Sequence, residues 1–158
     1  MEVSEGSCRL GLWYVNVTWD GNIVHRIRFQ RTGIPGPVPE VITRYLTGKV
    51  TCLDPLVSHL PDQPGTYGRI YKAVQAIPYG SVQTYGEIAL KADTSPRAVG
   101  LAMSRNTTPL LVPCHRVVAS KGLGGFTPDL WIKEELLRIE ASVSKKMVQQ
   151  NLSFREQE

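Results

Sequence analysis

Cysteine is scarce in this chain: Cys8, Cys52 and Cys114 are the three among 158 residues. An odd number without tight spacing is not a disulfide framework and suits a reducing compartment, although sequence alone leaves a Cys8–Cys52 bridge open. Long apolar runs are missing as well. No stretch approaches the roughly 20 residues that span a bilayer, which argues against membrane association. The opening Met1-Glu2-Val3-Ser4-Glu5 lacks the basic and apolar regions of a signal peptide, so an intracellular protein is expected. Neither sign of charge dominates. A net +4 is compatible with a polyanionic partner without identifying one. What remains, 42% hydrophobic and 20% charged, is the composition of an ordinary globular protein with room for one good core or two small domains.

The first part of the chain reads as scaffold. Residues 9–29 have the pattern of a hairpin, with Trp13, Val15, Val17 and Trp19 on one face, a turn at Asp20-Gly21, and alternation resuming from Ile23 to Phe29. A short helix is expected over Glu40 to Leu46, ended by Gly48. Val50 to Leu60 is mixed and has room for another strand. Pro61-Asp62-Gln63-Pro64-Gly65 reads as a linker between a domain at 1–62 and one starting at 65. Cys8, His25, Cys52 and His59 are side chains that zinc favours, but their separations match no compact motif.

The second part is helical. Thr66 is the expected cap of a helix over Tyr67 to Ala76. Thr84 and Glu87 have the spacing of a capping box at the start of a helix from Tyr85 to Lys91. Ser95 as N-cap and Pro96 at the first helical position start another, running to Arg105. Two short helices joined by a tight polar turn make a helix-turn-helix candidate. Its second helix carries Arg97, Ala98, Gly100 and Ala102 rather than long polar side chains. Small residues with one arginine suit shape-based binding better than base readout, and an ordinary packed helical hairpin is the plainer alternative. From Tyr79 to Gly122 five cations face only two acids. A final helix is expected from Leu130 to about Ser142, capped by Asp129. It is followed by a polar stretch (143–158), read as a frayed helix or a tail, with only Met147, Val148, Leu152 and Phe154 to bury.

Between these helices lies Pro113-Cys114-His115-Arg116-Val117, after the apolar Pro109-Leu110-Leu111-Val112. A cysteine beside an imidazole is a candidate activated nucleophile; a core cysteine next to a surface histidine is the commoner outcome for such a pair. If the stretch is a strand, the two neighbours point to opposite faces and communicate through water and a turn. Glu140, in the last helix, is either a solvated surface charge, the usual case, or a partner for a buried base.

The Cys-His stretch resembles the O6-alkylguanine-DNA alkyltransferases, the methylated-DNA–protein-cysteine methyltransferases. The likeness extends over Ile77-Pro78-Tyr79-Gly80, Thr84-Tyr85-Gly86-Glu87-Ile88-Ala89, Arg97-Ala98-Val99-Gly100, Asn106, Gly125-Phe126, Ile132-Lys133-Glu134-Glu135-Leu136-Leu137 and Glu140. It covers roughly the second half of the chain, in the family's order. The resemblance implies an α+β protein. Its small antiparallel-sheet domain would be RNase H-like, and its mostly helical second domain (65–142) would carry a winged helix-turn-helix-like motif.

The implied function is DNA repair by irreversible transfer of the alkyl group from O6-alkylguanine, and more weakly O4-alkylthymine, to the protein's own cysteine. Each molecule would act once, after flipping the damaged nucleotide out of the duplex. Cys114 would be the acceptor and His115 its base through a bound water. Glu140 would orient the imidazole, Asn106 would bond around the cysteine, and Tyr85 would lie near the phosphate and base edge. Arg97 would replace the flipped base, with Ala98, Gly100, Thr84, Ser95 and Arg116 on the DNA side. Met103, Pro109, Val112, Val117, Phe126 and Thr127 would form the pocket, where backbone carbonyls of Cys114 and Val117 read the guanine amine.

By the same resemblance no metal or other cofactor is needed, and the partner is double-stranded DNA held through its minor groove with little sequence specificity. The protein would act as a monomer in the cytoplasm, with the nucleoid in a prokaryote or in the nucleus of a eukaryote. Phe126 departs from the family's usual tyrosine and cannot donate a hydrogen bond to the base. Two alternatives stay open at this point: a module that binds alkylated DNA without transfer, and a cysteine hydrolase using Cys114 and His115.

Overall fold

Alternation of apolar and polar residues builds an antiparallel sheet at the start of the chain. The computed structural model describes residues 2–156. In it β1 (Ser4–Leu10), β2 (Trp13–Asp20) and β3 (Ile23–Gln30) pair in the order β1-β2-β3. The expected hairpin is β2–β3, turning at Gly21, whose φ of +52° suits a residue without a Cβ. Val15 and Val17 are fully buried, with Trp13 and Trp19 packed at the margin. β1 was not legible from alternation, because Ser4-Glu5-Gly6-Ser7 supplies almost nothing apolar. Helix α1 (Glu40–Leu46) buries Ile42, Tyr45 and Leu46. Residues 50–60 hold no strand among the described elements; a single bridge joins Val57 to Ile23 before a 3-10 turn at Leu60–Asp62.

Helices make up most of the rest: α2 (Gly65–Gln75), α3 (Tyr85–Lys91), α4 (Pro96–Ser104) and α5 (Leu130–Glu156). Thr66 does not cap α2; Pro64 holds the cap position with no side-chain bond and Thr66 lies inside the first turn. The other starts form as their sequences dictate. Thr84 accepts from the Glu87 amide at 3.1 Å and the Glu87 carboxylate accepts from the Thr84 amide at 3.2 Å. Ser95 accepts from the Ala98 amide at 3.1 Å, and Asp129 accepts from the Trp131 amide at 3.0 Å. A two-residue parallel ladder, β4 (Gln83–Thr84) with β5 (Val117–Val118), ties the entrance of α3 to the chain just past the cysteine.

Helix α5 corrects one expectation. It does not end near Ser142 but continues to Glu156, the helical one of the two readings open for the polar stretch. Nothing between Leu130 and Glu158 is glycine or proline, so no residue is there to stop it. Met147, Val148 and Leu152 remain exposed on this extension, while the Phe154 side chain and residues 157–158 lie outside the described residues. No described helix is long and apolar enough to cross a membrane.

Two hydrophobic clusters result. One joins the sheet and α1 to Leu110, Leu111, Ile132 and Leu136; the other joins α2, α3 and α4 to Val112 and Val117. The segment 110–117 therefore contributes to both cores, and Cys114 sits within it.

Candidate active site

Cys114 is not on a strand. It opens a 3-10 turn, Cys114–Arg116, because prolines at 109 and 113 interrupt any ladder and Leu110 turns the chain with φ of +77°. The turn is held from several sides. The Cys114 amide donates to the Val112 carbonyl at 2.7 Å and the Arg116 amide to the Pro113 carbonyl at 2.9 Å. Asn106 clamps the approach: its amide nitrogen donates to the Val112 carbonyl at 2.8 Å and its oxygen accepts from the Thr108 amide at 3.0 Å.

Behind the turn, Glu140 of α5 organises a buried polar network. Its Oε2 meets His115 Nε2 at 2.5 Å and accepts from the Tyr45 hydroxyl at 2.8 Å and Arg116 Nη2 at 3.2 Å. Its Oε1 accepts from Arg116 Nε at 2.8 Å and from the Gly80 amide at 3.1 Å. Gly80 has φ of +81°, and a Cβ there would lie 2.1 Å from Ser144 Oγ, so only glycine lets this amide reach the carboxylate. Arg116 also donates to the Ile77 carbonyl at 2.9 Å and the Tyr45 hydroxyl at 3.1 Å.

The environment sets the protonation states. Burial opposes a charge on Glu140, but hydrogen bonds from His115 and Arg116 and the charge of the Arg116 guanidinium outweigh it and hold its pKa at about 2. Burial pushes the His115 imidazole below its ordinary value, against the pull of Glu140 and with help from Arg116 and Lys133. A neutral imidazole that donates Nε2–H to Glu140 carries its basic lone pair on Nδ1. That Nδ1 is buried and makes no hydrogen bond among the described residues. Burial raises the Cys114 thiol, partly offset by Asn106, Lys133 and backbone donors. The resting group is therefore a thiol beside a neutral base.

Cys114 faces a cleft of about 800 Å³. Tyr85, Gly100, Met103, Asn106, Pro109, Phe126 and Thr127 line it. Val112 and Val117 do not; both are fully buried in the helical cluster. Arg116 is also corrected. Its guanidinium is buried and committed to Glu140, Tyr45 and Ile77 rather than facing outward. Thr84 and Ser95 spend their hydroxyls on helix caps. Arg97 stands exposed in the first turn of α4, Ala98 packs partly against the helical cluster, and Gly100 has no atom within 4 Å of where a Cβ would be.

Two groups of residues escaped sequence reasoning. Lys133 is completely buried, yet its ammonium donates to the Val117 carbonyl at 2.6 Å and the Gly125 carbonyl at 3.2 Å, bracketing the cysteine turn and the loop before Phe126. Burial lowers its pKa while the nearby Cys114 raises it. The Val117 carbonyl, expected to read a base, thus already accepts one bond. An amphipathic helix gives no sign that a lysine turns inward; only its place among Ile132 and Leu136 hints at it. The second group is Arg26 and Arg28 of β3, which line the cleft from the sheet side. Cys8, Cys52 and Cys114 are free thiols. No cluster of three or more His, Cys, Asp or Glu side chains suited to a metal occurs among the described residues.

A family model described as the DNA binding domain of 6-O-methylguanine DNA methyltransferase matches residues 66–142. A methylated-DNA–protein-cysteine methyltransferase of Metallosphaera sedula is 43% identical over 104 residues, 66% of each chain. Against two other curated relatives the chain covers 59% and 46% of their length. Among solved structures, an O6-methylguanine DNA methyltransferase from Methanococcus jannaschii has a TM-score of 0.59 at 30% identity, covering 85% of this chain and 92% of that one. Mycobacterium tuberculosis OGT in complex with DNA has a TM-score of 0.71 at 29% identity, with 87% and 92% covered.

Proposed function

The chain belongs to the O6-methylguanine-DNA methyltransferase family, and from that premise we propose that it repairs DNA by moving the alkyl group of O6-alkylguanine onto Cys114. The observation that carries this reading is the pairing of a cleft-facing thiol with a buried, neutral His115 whose Nε2 is held by Glu140 and whose Nδ1 is without a partner among the described residues.

The thiol proton leaves through water to His115 Nδ1. The sulfur attacks the alkyl carbon, the carbon–oxygen bond breaks as the carbon–sulfur bond forms, and the guanine takes a proton on departure, assisted by the Tyr85 hydroxyl. Glu140 favours the imidazolium that forms transiently. The product is a thioether that simple hydrolysis does not reverse, so each molecule acts once. The same chemistry serves O4-alkylthymine less well. No cofactor enters any step.

DNA binding follows from α3 and α4, read as a winged helix-turn-helix within a unit spanning 65–142. The sheet and α1 form an RNase H-like scaffold over 1–62. Gly100 supports entry of α4 into the minor groove: a glycine in a helix interior costs about 0.5–1 kcal/mol relative to alanine, and no protein atom there needs the space. Close approach of another molecule gives that glycine a reason. Arg97 is the side chain that fills the stack when the nucleotide flips, and contacts through backbone and shape leave little sequence preference. Binding as a monomer is sufficient, since one chain supplies every group named.

The test is to incubate the protein with duplex DNA containing O6-methylguanine and weigh it. A gain of one methylene on Cys114 at one equivalent supports the proposal. An unmodified Cys114 after tight binding means a binding module, and turnover of an ester or peptide means a hydrolase.

A further inference from the structure

Strand β3 reaches across to the cysteine half of the molecule: the Ile27 amide donates to the Thr107 carbonyl at 2.9 Å, just past Asn106. Ile27 turns into the core, so the residues flanking it, Arg26 and Arg28, lie on the other face. Both are exposed and both line the cleft that holds Cys114. The cleft has one further cation, Arg105, whose guanidinium is engaged by the Tyr67 hydroxyl at 2.9 Å, and no aspartate or glutamate lines it. Among the described residues Arg26 and Arg28 form no ion pair and no side-chain hydrogen bond. Asp20, the carboxylate nearest to them along the hairpin, is paired with His25 at 2.6 Å.

Two unpartnered guanidiniums beside a reactive thiol, with no acid along the same wall, form an anion-binding rim. Two residues apart on one face of a strand, their Cα atoms are about 6.5–7 Å from each other, so both side chains can reach one stretch of an anionic backbone. We propose that Arg26 and Arg28 form a second phosphate-binding rim. The sheet half would thereby hold the backbone of the strand whose nucleotide enters the cleft, while α4 holds the duplex from the other side. This rests on the DNA-repair reading above and assigns a binding role to a half of the chain otherwise read as scaffold. Guanidiniums suit the task because they contact phosphate oxygens in pairs.

The double variant R26A/R28A tests it, against R44A/K49A as a control with the same loss of net charge, both control residues being exposed and away from the cleft. Affinity for a short duplex containing O6-methylguanine is measured over a range of salt, with Cys114 alkylation by free O6-benzylguanine measured in parallel. The expected result is about a tenfold loss of duplex affinity at low salt and a salt slope shallower by roughly 1.8, the value for two lost phosphate contacts. Alkylation by the free base should be unchanged, and the control should alter the slope little. Equal effects of the two variants, or an unchanged slope in R26A/R28A, would overturn the rim. If the unaltered protein does not alkylate from duplex DNA at all, the repair reading itself fails, and the two failures are distinguishable.

Discussion

Glu140 and Arg116 meet through two hydrogen bonds, 2.8 and 3.2 Å long, with both side chains buried. The pair is also the support on which His115 rests. Replacing Glu140 by glutamine keeps the shape and removes the charge, leaving a buried guanidinium without a counter-ion. Breaking such a pair from one side typically costs about 3–5 kcal/mol. E140Q should lower the urea-unfolding free energy by roughly that much. A change within about 0.5 kcal/mol, the range of ordinary surface substitutions, would show that the network does not carry this load.

Acid should weaken the fold through the same carboxylate. Glu140 has its pKa at about 2 in the folded protein against an ordinary 4.5, so the unfolded chain binds the proton first. The stabilisation is complete above pH 4.5 and is lost progressively as pH falls toward 2. The lowered His115 acts in the same direction from its ordinary 6.5 downward. Urea melts at pH 7, 5.5 and 4 should give falling stability, with a smaller drop below pH 4.5 in E140Q. A flat profile would contradict both assignments.

Removing the base should change how the reaction depends on pH. With Cys114 raised by burial, H115Q should react with O6-benzylguanine about 100-fold more slowly at pH 7 and recover as pH rises toward the thiol's own ionisation. A pH profile identical to that of the unaltered protein would remove His115 from the chemistry.

Gly100 separates stability from binding. G100A should stabilise the protein by about 0.5–1 kcal/mol, because alanine favours the helix and the site is open. The same methyl should weaken binding to duplex DNA while leaving alkylation by the free base intact. Thermal melts and a binding titration on one preparation decide it; unchanged DNA affinity would mean that α4 does not come close.

Arg97 is the exposed cation at the start of α4, and the role proposed for it is to fill space in the stack. R97A should impair repair of duplex DNA far more than transfer from free O6-benzylguanine. Comparable losses on the two substrates would assign it to the chemistry or to stability instead.

Three of the helix starts were legible because their signals are local, whereas Thr66 does not cap α2. Thr84 with Glu87, Ser95 with Pro96, and Asp129 each act within a turn of sequence, and each forms. That Glu140 could serve a buried base was open from its place in the last helix, but its assignment to His115, 25 residues away, came from the resemblance. Burial was the harder quantity to read. Arg116 and Lys133 are charged, and charged residues are almost never inside unless paired. Their partners (Glu140 and Tyr45 for one, two carbonyls for the other) come from distant parts of the chain. Strand β1 escaped for the opposite reason: its polar residues are extended because a neighbour supplies hydrogen bonds, not because they alternate.

Leu110 and Leu111 belong to the core under the sheet, whereas Val112 and Val117 belong to the core among the helices. The Pro- and Gly-rich stretch at 61–65 suggests a division of the chain, but eight residues around the cysteine lock the two cores to each other. Neither core can loosen without drawing on the other, so heat or urea should dissolve them in one cooperative transition rather than in two. The reactive turn is thus the hinge pin of the molecule's stability, and the geometry around the thiol persists for as long as the protein is folded at all.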